Sequence, residues 1–359
     1  MTALQSYMDY IKGRGAQLNT KNRFEKTELV LEHFEGIDEL PDMGHKTQVL
    51  LEYPKAMLNR NESPDLSFVY SLNPYQGCEH GCVYCYARNV HQYWGYSAGL
   101  DFEQKIIAKP NAAAVLRKQF MNKNYFPEAT TMSGNTDCYQ PTERKLKLTR
   151  GLLEVFQEFR HPVGIITKNS LILRDIDILK EMAANNLVHV MISITSLDES
   201  LRLQMEPRTA TAANRLLVVK TLNDAGIPTG VMTAPIVPGL NSDEIPDLVK
   251  AAADHGARVV GYTIVRLNGS VKEIFRDWLY KSFPDRADKV WNHIQECHGG
   301  QANDSRFGLR MKGDGKIAES IKQLFNLSVR RFMQDRKMPE YDYTLFKRPC
   351  VNGQISLEF

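Results

Sequence analysis

From Phe68 onward, short apolar runs alternate with stretches whose apolar residues recur every three to four positions. The runs at Phe68–Leu72, Ala129–Met132, Val163–Thr167, Val188–Ile194, Thr229–Ile236 and Val259–Val265 predict six buried strands. Between them, Ala112–Met121, Thr149–Phe159, Leu171–Ala184, Ala212–Ala225 and Ser242–His255 predict helices. In the second of these, Leu152, Leu153, Val155, Phe156 and Phe159 share one face; the fourth stops before Gly226, a residue suited to closing a helix. Regular strand–helix alternation implies a parallel sheet with right-handed crossovers. The expected fold class is therefore α/β: a partial (β/α)6 TIM-like barrel, with its chemistry at the C-terminal ends of the strands.

The flanks follow another rule. Residues 1–65 are polar and rich in turn residues, with Phe24, Phe34, Leu50, Leu51 and Tyr53 as scattered apolar anchors. They are expected to form an N-terminal strap. After Leu267 the alternation ends, and Val271–Tyr280, Asp285–Gln295 and Ile317–Phe332 predict helices, while Pro339–Phe359 has no period. The expected organisation is a strap at 1–65, a barrel at 66–268 and a C-terminal helical cap at 269–359.

Composition adds bounds. The 359 residues are 43% hydrophobic and 24% charged, ordinary for a globular protein able to bury a sizeable core. No apolar run reaches the length of a membrane span, and the N-terminus lacks the apolar centre of a signal peptide, so no membrane partner is expected. A net charge of +3 carries no nucleic-acid footprint by itself. Nothing in the sequence sets the oligomeric state.

The cysteines change the picture. Cys78, Cys82 and Cys85 are spaced C-x3-C-x2-C on the loop expected after the first strand. A thiolate triplet this tight wraps one soft metal centre and leaves a corner open. Iron–sulfur clusters are usually held by four thiolates, so a site short by one invites an outside ligand. Zinc is the alternative, although zinc sites favour paired C-x2-C units with a distant second pair. Clustered cysteines that must stay reduced, with three others scattered, point to the cytoplasm.

Polar residues gather where the strands stop: Thr136 and Asp137 after the second, Lys168 after the third, Ser193 and Thr195 at the fourth, Arg208 beyond it, Pro235 at the fifth, Arg266 at the sixth. The cysteine spacing resembles the signature of the radical S-adenosylmethionine (SAM) enzymes, and such a set suits SAM, a zwitterion that also carries a sulfonium. Lys168 and Arg208 are candidates for its carboxylate, Thr136 and Asp137 for its ammonium, and Ser193 and Thr195 for its ribose. Pro235 with its neighbours offers a shelf for adenine, on which Tyr84 could pack.

The C-x3-C-x2-C loop, with Thr136-Asp137, Tyr139-Gln140-Pro141, Ile166-Thr167-Lys168, Ser193-Ile194-Thr195, Glu206-Pro207-Arg208 and Ala234-Pro235, resembles the radical SAM enzymes. More closely it resembles their spore photoproduct lyase-like branch and a widespread bacterial subgroup of it, over nearly the whole chain. The resemblance implies one [4Fe–4S] cluster on Cys78, Cys82 and Cys85, SAM on its open iron, and reductive cleavage to a 5′-deoxyadenosyl radical. It also implies an electron donor such as flavodoxin or ferredoxin. The lyase itself reverses a thymine photolesion with the help of a donor cysteine and a tyrosine pair. Tyr84 and Tyr86 match the pair, but Gly134 stands at the donor's place, with Cys138 the nearest substitute.

Three readings follow. The leading one is a radical SAM enzyme abstracting hydrogen from an unknown substrate. The alternative is a DNA photolesion lyase, with Arg144, Lys145, Lys147, Arg150, Arg330 and Arg331 available for DNA. The third is a non-catalytic iron–sulfur protein sensing redox state or nucleic acid.

Overall fold

In the computed structural model, residues 10–24 and 46–349 are described. Among them are ten strands: β1 (Gln48–Leu51), β2 (Asn59–Arg60), β3 (Tyr70–Leu72), β4 (Tyr75–Gln76), β5 (Lys105–Ala108), β6 (Thr130–Met132), β7 (Val163–Thr167), β8 (Val188–Ser193), β9 (Thr229–Met232) and β10 (Val260–Gly261). Six of them, in the order β3-β6-β7-β8-β9-β10, form a continuous parallel sheet, and β2 adds antiparallel on the β3 edge. Helices Ala112–Phe120, Leu148–Glu158, Ile176–Ala183, Ala212–Asp224 and Ile245–Asp254 make the crossovers. The fold is the partial TIM-like barrel that the alternation predicts.

Each inner strand sends one set of side chains outward. Val163, Ile165, Val188, Val190, Ile192 and Val231 are buried against helix residues such as Leu152, Phe156, Leu179, Val219 and Leu248, and this layer is the main core. The other face is partly open. Gly164, Ile166, His189, Met191, Met232 and Gly261 line a cavity of about 500 Å³ in the barrel lumen.

Two contacts close the barrel. On its open side, between β3 and β10, the Asp65 carboxylate pairs with Arg310 and accepts the Gly308 N–H at 2.8 Å. Beneath the strands, the segment after helix Gly315–Phe332 crosses the floor. There Arg336 donates to the carbonyls of Ala253 and Ala257, Asp342 N–H to Asn186, and Lys347 N–H to Phe159. Tyr341 rises from this segment to stack on His189, with ring centroids 3.9 Å apart.

The structure departs from expectation at two places. The fifth and sixth strands are short: β9 ends at Met232, and only an isolated bridge joins Ile236 to Ile264. Pro235 and Pro238 have no N–H to give a ladder there. And β1, β5 and β4 form a separate three-stranded sheet that no strong alternation announced.

Candidate functional site: the cysteine loop and the strand ends

The cysteine loop leaves β3, touches the small sheet through β4, and is pinned from several sides. Gln140 accepts the Glu79 N–H at 3.0 Å and donates to the Gly77 carbonyl at 3.1 Å. Cys78 N–H reaches the Phe102 carbonyl, and Val83 N–H that of Met205. Arg88 Nε donates to the Cys82 carbonyl at 2.9 Å while its Nη2 lies 2.6 Å from Glu103 Oε1. Both members of this ion pair are fully buried. Glu103 also receives the N–H groups of Gly15 and Ala16, at 3.2 and 2.7 Å. The strap is thereby drawn onto the loop so closely that a Cβ on Gly15 would lie 1.6 Å from the Gly81 carbonyl oxygen. Gly81 itself has φ +69°, a left-handed conformation that glycine adopts freely.

All three loop cysteines are free thiols; Cys78 and Cys82 are buried and Cys85 is partly covered. Burial pushes the thiols up, Cys82 to about 12, and Cys78 is raised further by the charges of Asp137, Cys82 and Cys85. Lys168 opposes the shift at Cys82 and Cys85, and Arg88 opposes it at Cys85. Three soft donors near enough to repel one another, beside two cations and out of water, fit a polynuclear iron–sulfur group, whose binding displaces their protons. Among the described residues no three His, Cys, Asp or Glu side chains form a cage for a single metal ion. In a cluster each thiolate bonds a different iron and need not converge on one point.

Two carboxylates, buried Glu206 and mostly buried Asp137, organise the strand ends. Asp137 accepts the Thr167 hydroxyl at 2.8 Å and the N–H groups of Lys168 and Tyr139, each at 2.8 Å, with His80 Nδ1 at 3.4 Å. Burial alone would raise its pKa, but the His80 ring and these hydrogen bonds hold it down at about 2. Glu206 lies 2.5 Å from Arg215 Nη2, accepts the Thr195 hydroxyl at 2.6 Å, and also accepts that of Tyr84. Here Arg215 and Lys168 outweigh burial and keep the carboxyl at about 2. The Lys168 ammonium stands 5.9 Å from the Tyr84 ring centroid, and the charges of Cys82 and Glu206 raise its pKa against the lowering effect of burial. Asn241 ties the fourth and fifth strand ends, donating to the carbonyls of Thr195 at 2.8 Å and Pro235 at 3.0 Å.

The expected site residues thus divide. Lys168, Thr195, Tyr84 and Asp137 gather beside the cysteines. Ser193 is buried at the end of β8, its carbonyl accepting from Arg215. The Thr136 hydroxyl is spent on the Tyr75 carbonyl at 2.7 Å. Arg208 is exposed, its guanidinium 3.9 Å from Glu79. Tyr86 is half-exposed, and its hydroxyl donates to the carbonyl of Gly134. Cys138, expected as the substitute hydrogen donor, has no exposure and packs in the main core with Leu72 and Tyr139. Cys350 lies outside the described residues, as does Phe34. Of the basic residues proposed for DNA, Arg150 is engaged by Asp175 and Asp177 at 3.1 and 2.8 Å. Glu206, Arg215, Arg88 and Glu103 were not anticipated. The sole signal was an acid inside Glu206-Pro207-Arg208; nothing local marks Arg88 and Glu103 as partners.

The sequence model of the radical SAM superfamily matches residues 72–252, just over half of the chain. The chain belongs to the radical SAM superfamily. A protein of Mycobacterium tuberculosis, described as uncharacterized, is 32% identical over 237 residues, covering 64% of this chain and 69% of its own. One of Methanocaldococcus jannaschii is 25% identical over 250 residues, covering 70% and 89%. Among solved structures, a cysteine-to-serine mutant of spore photoproduct lyase superposes with a TM-score of 0.58 at 16% identity, over 84% of this chain and 86% of that one. The same lyase complexed with a dinucleoside spore photoproduct gives 0.57, over 80% of each. At this identity the likeness is one of fold: a radical SAM barrel of the lyase type. No described helix is long and apolar enough to cross a membrane.

Proposed function

We propose that this radical SAM protein is an enzyme that holds a [4Fe–4S] cluster on Cys78, Cys82 and Cys85 and binds SAM across the strand ends. When bound, the cluster supplies the electron for reductive cleavage of SAM, giving a 5′-deoxyadenosyl radical that abstracts hydrogen from a substrate. The observation that carries this is the three-thiol loop set beside buried Glu206 and the partly buried Lys168 and Asp137. Lys168 provides a partly buried cation for the SAM carboxylate. Glu206, fixed by Arg215, keeps Lys168 charged and holds Tyr84 and Thr195 in place. The fully buried Arg88–Glu103 pair fixes the backbone at Cys82 and keeps water off the loop. We infer a cytoplasmic, reducing setting from the need to keep these thiols free.

Lesion repair is the second reading. The lyase-like fold and Tyr86 at the mouth favour it; Gly134, which brings no thiol beside Tyr86, does not. The decisive experiment is anaerobic reconstitution with iron and sulfide, then reduction with dithionite in the presence of SAM. The expected product is 5′-deoxyadenosine. Retention of iron and sulfide after Cys78, Cys82 and Cys85 are all replaced by alanine would sink the assignment. Salt-dependent binding of a duplex carrying a thymine photolesion would move the second reading to first place.

A further inference from the structure

We propose that the barrel lumen, with Arg266 at its rim, takes a small amphipathic acid as substrate: an apolar body in the lumen and a carboxylate or phosphate head on the Arg266 guanidinium. The inference rests on the function proposed above, which requires a substrate within reach of the strand ends.

A complete (β/α) barrel fills its interior with layers of branched side chains. This lumen instead keeps a cavity of about 500 Å³, within the range of small-molecule sites. Its wall is largely apolar, with Phe68, Ile166, Met191, Met232 and Met311, while Gly164 and Gly261 bring no side chain. The three methionines are flexible chains that can reshape around an apolar guest. At the floor His189 stacks on Tyr341, and burial keeps its ring neutral. The two charged residues in the wall are engaged, Asp65 by Arg310 and the Gly308 N–H, and Lys312 by the Tyr262 carbonyl at 2.8 Å. The lumen thus offers room for an apolar body and no free charge.

The rim differs. Met311 also touches Arg266, which follows the sixth strand; Nη1 lies 3.1 Å from the thioether sulfur, a weak acceptor. Arg266 Nε is buried and has no partner among the described residues. Buried donors are nearly always paired, so this one calls for an acceptor from outside. Charge points the same way. The Arg310 charge bears on Arg266, and the acid that could offset it, Asp65, is already committed to Arg310. The guanidinium fork suits a carboxylate or phosphate, which it can grip through two parallel hydrogen bonds. Tyr86, directly after Cys85, also lies within electrostatic reach of Arg266, so the head sits on the side of the cysteine loop. The body then lies beneath the strand ends across which the proposed function lays SAM.

The test is calorimetric titration of the anaerobically reconstituted protein with octanoate, octyl phosphate, 1-octanol and inorganic phosphate. At least one of the two acids should bind about 10- to 100-fold more tightly than 1-octanol, and more tightly than inorganic phosphate, because head and body are both needed. The tighter of the two acids tells carboxylate from phosphate. Arg266→Met should bring that acid down to the affinity of the alcohol, while Arg266→Lys keeps part of the preference. Gly261→Leu crowds the flexible end of Met232 and fills the lumen, so it should weaken acid and alcohol together by about 10-fold or more. Equal affinity for acid and alcohol in the wild type, unchanged acid binding in Arg266→Met, or no binding of either acid would overturn the inference. The yield of 5′-deoxyadenosine with dithionite is measured on the same samples. Without that product the proposed function fails whatever the lumen binds; with it, a lumen that rejects both acids overturns this inference alone.

Discussion

Replacing Gly15 with alanine should lift the strap from the cysteine loop. The new Cβ would lie 1.6 Å from Gly81 O and 2.8 Å from Gly81 C, whereas ordinary contact begins near 3.4 Å. Both atoms are backbone in a pinned loop, so the strap must retreat by about 2 Å, more than a packed contact tolerates. That displacement separates the Gly15 and Ala16 N–H groups from the Glu103 carboxylate. Two hydrogen bonds to a charged acceptor contribute about 1.5–3 kcal/mol each, so the docked strap loses roughly 3–6 kcal/mol. Hydrogen exchange across residues 14–20, with iron and sulfide counted after anaerobic reconstitution, reads the result. Exchange should rise by two orders of magnitude or more, and cluster retention should fall. Gly151→Ala is the control: it sits in helix Leu148–Glu158 with Ala113 Cβ at an ordinary 3.7 Å, and should be neutral or stabilising. Wild-type protection at residues 14–20 in Gly15→Ala would refute the reasoning, because no relaxed packing accommodates that methyl without moving backbone.

The other expectations concern different parts of the fold. Arg88→Met leaves the Glu103 carboxylate buried and unpaired, which should cost about 3–5 kcal/mol in urea denaturation; a loss below about 1 kcal/mol would mean the pair does not hold the loop. In Gly134→Cys the Cβ meets Ser71 Cβ at 3.2 Å, so a cost of about 1–3 kcal/mol is expected. The introduced thiol should react with iodoacetamide much faster than buried Cys138, and equal rates would refute the placement of Gly134 beside exposed Tyr86. At the barrel floor, burial lowers His161 and His189 to about 4. A depressed histidine contributes stability that is complete above its unfolded pKa of about 6.5 and is lost as pH falls toward 4, up to roughly 3 kcal/mol each. Urea midpoints measured from pH 7 to 4 should decline through that window; a flat profile would count against neutral histidines there.

Much of this fold was written in its periodicities. Val163–Thr167 carries β-branched residues in a short run, and its strand has those bounds; Ala212–Asp224 ends one residue short of its expected limit. The three clustered cysteines were legible because their spacing is local. What escaped was long-range. Arg88 and Glu103 are 15 residues apart and meet only because the loop turns back on itself, and Gly15 joins them from 88 residues away. Glu206 stood in a noticed motif, yet its role depends on Arg215, Lys168 and Tyr84 converging from three elements. The Thr136 hydroxyl looked available for a ligand and is instead spent on the Tyr75 carbonyl, since a side chain's sequence neighbours do not say which way it points.

The floor beneath the strands carries a consequence for biosynthesis. Arg348 binds the carbonyls of Phe120, Asn122 and Tyr125, more than 220 residues earlier, and Tyr341 fills the space against His189. These residues emerge from the ribosome after every strand of the barrel. Until they dock, Ile166, Met191 and Met232 face an open-bottomed shell that a chaperone or protease can enter. Chains stalled before residue 336 are therefore distinguishable from finished ones by an apolar interior left on view.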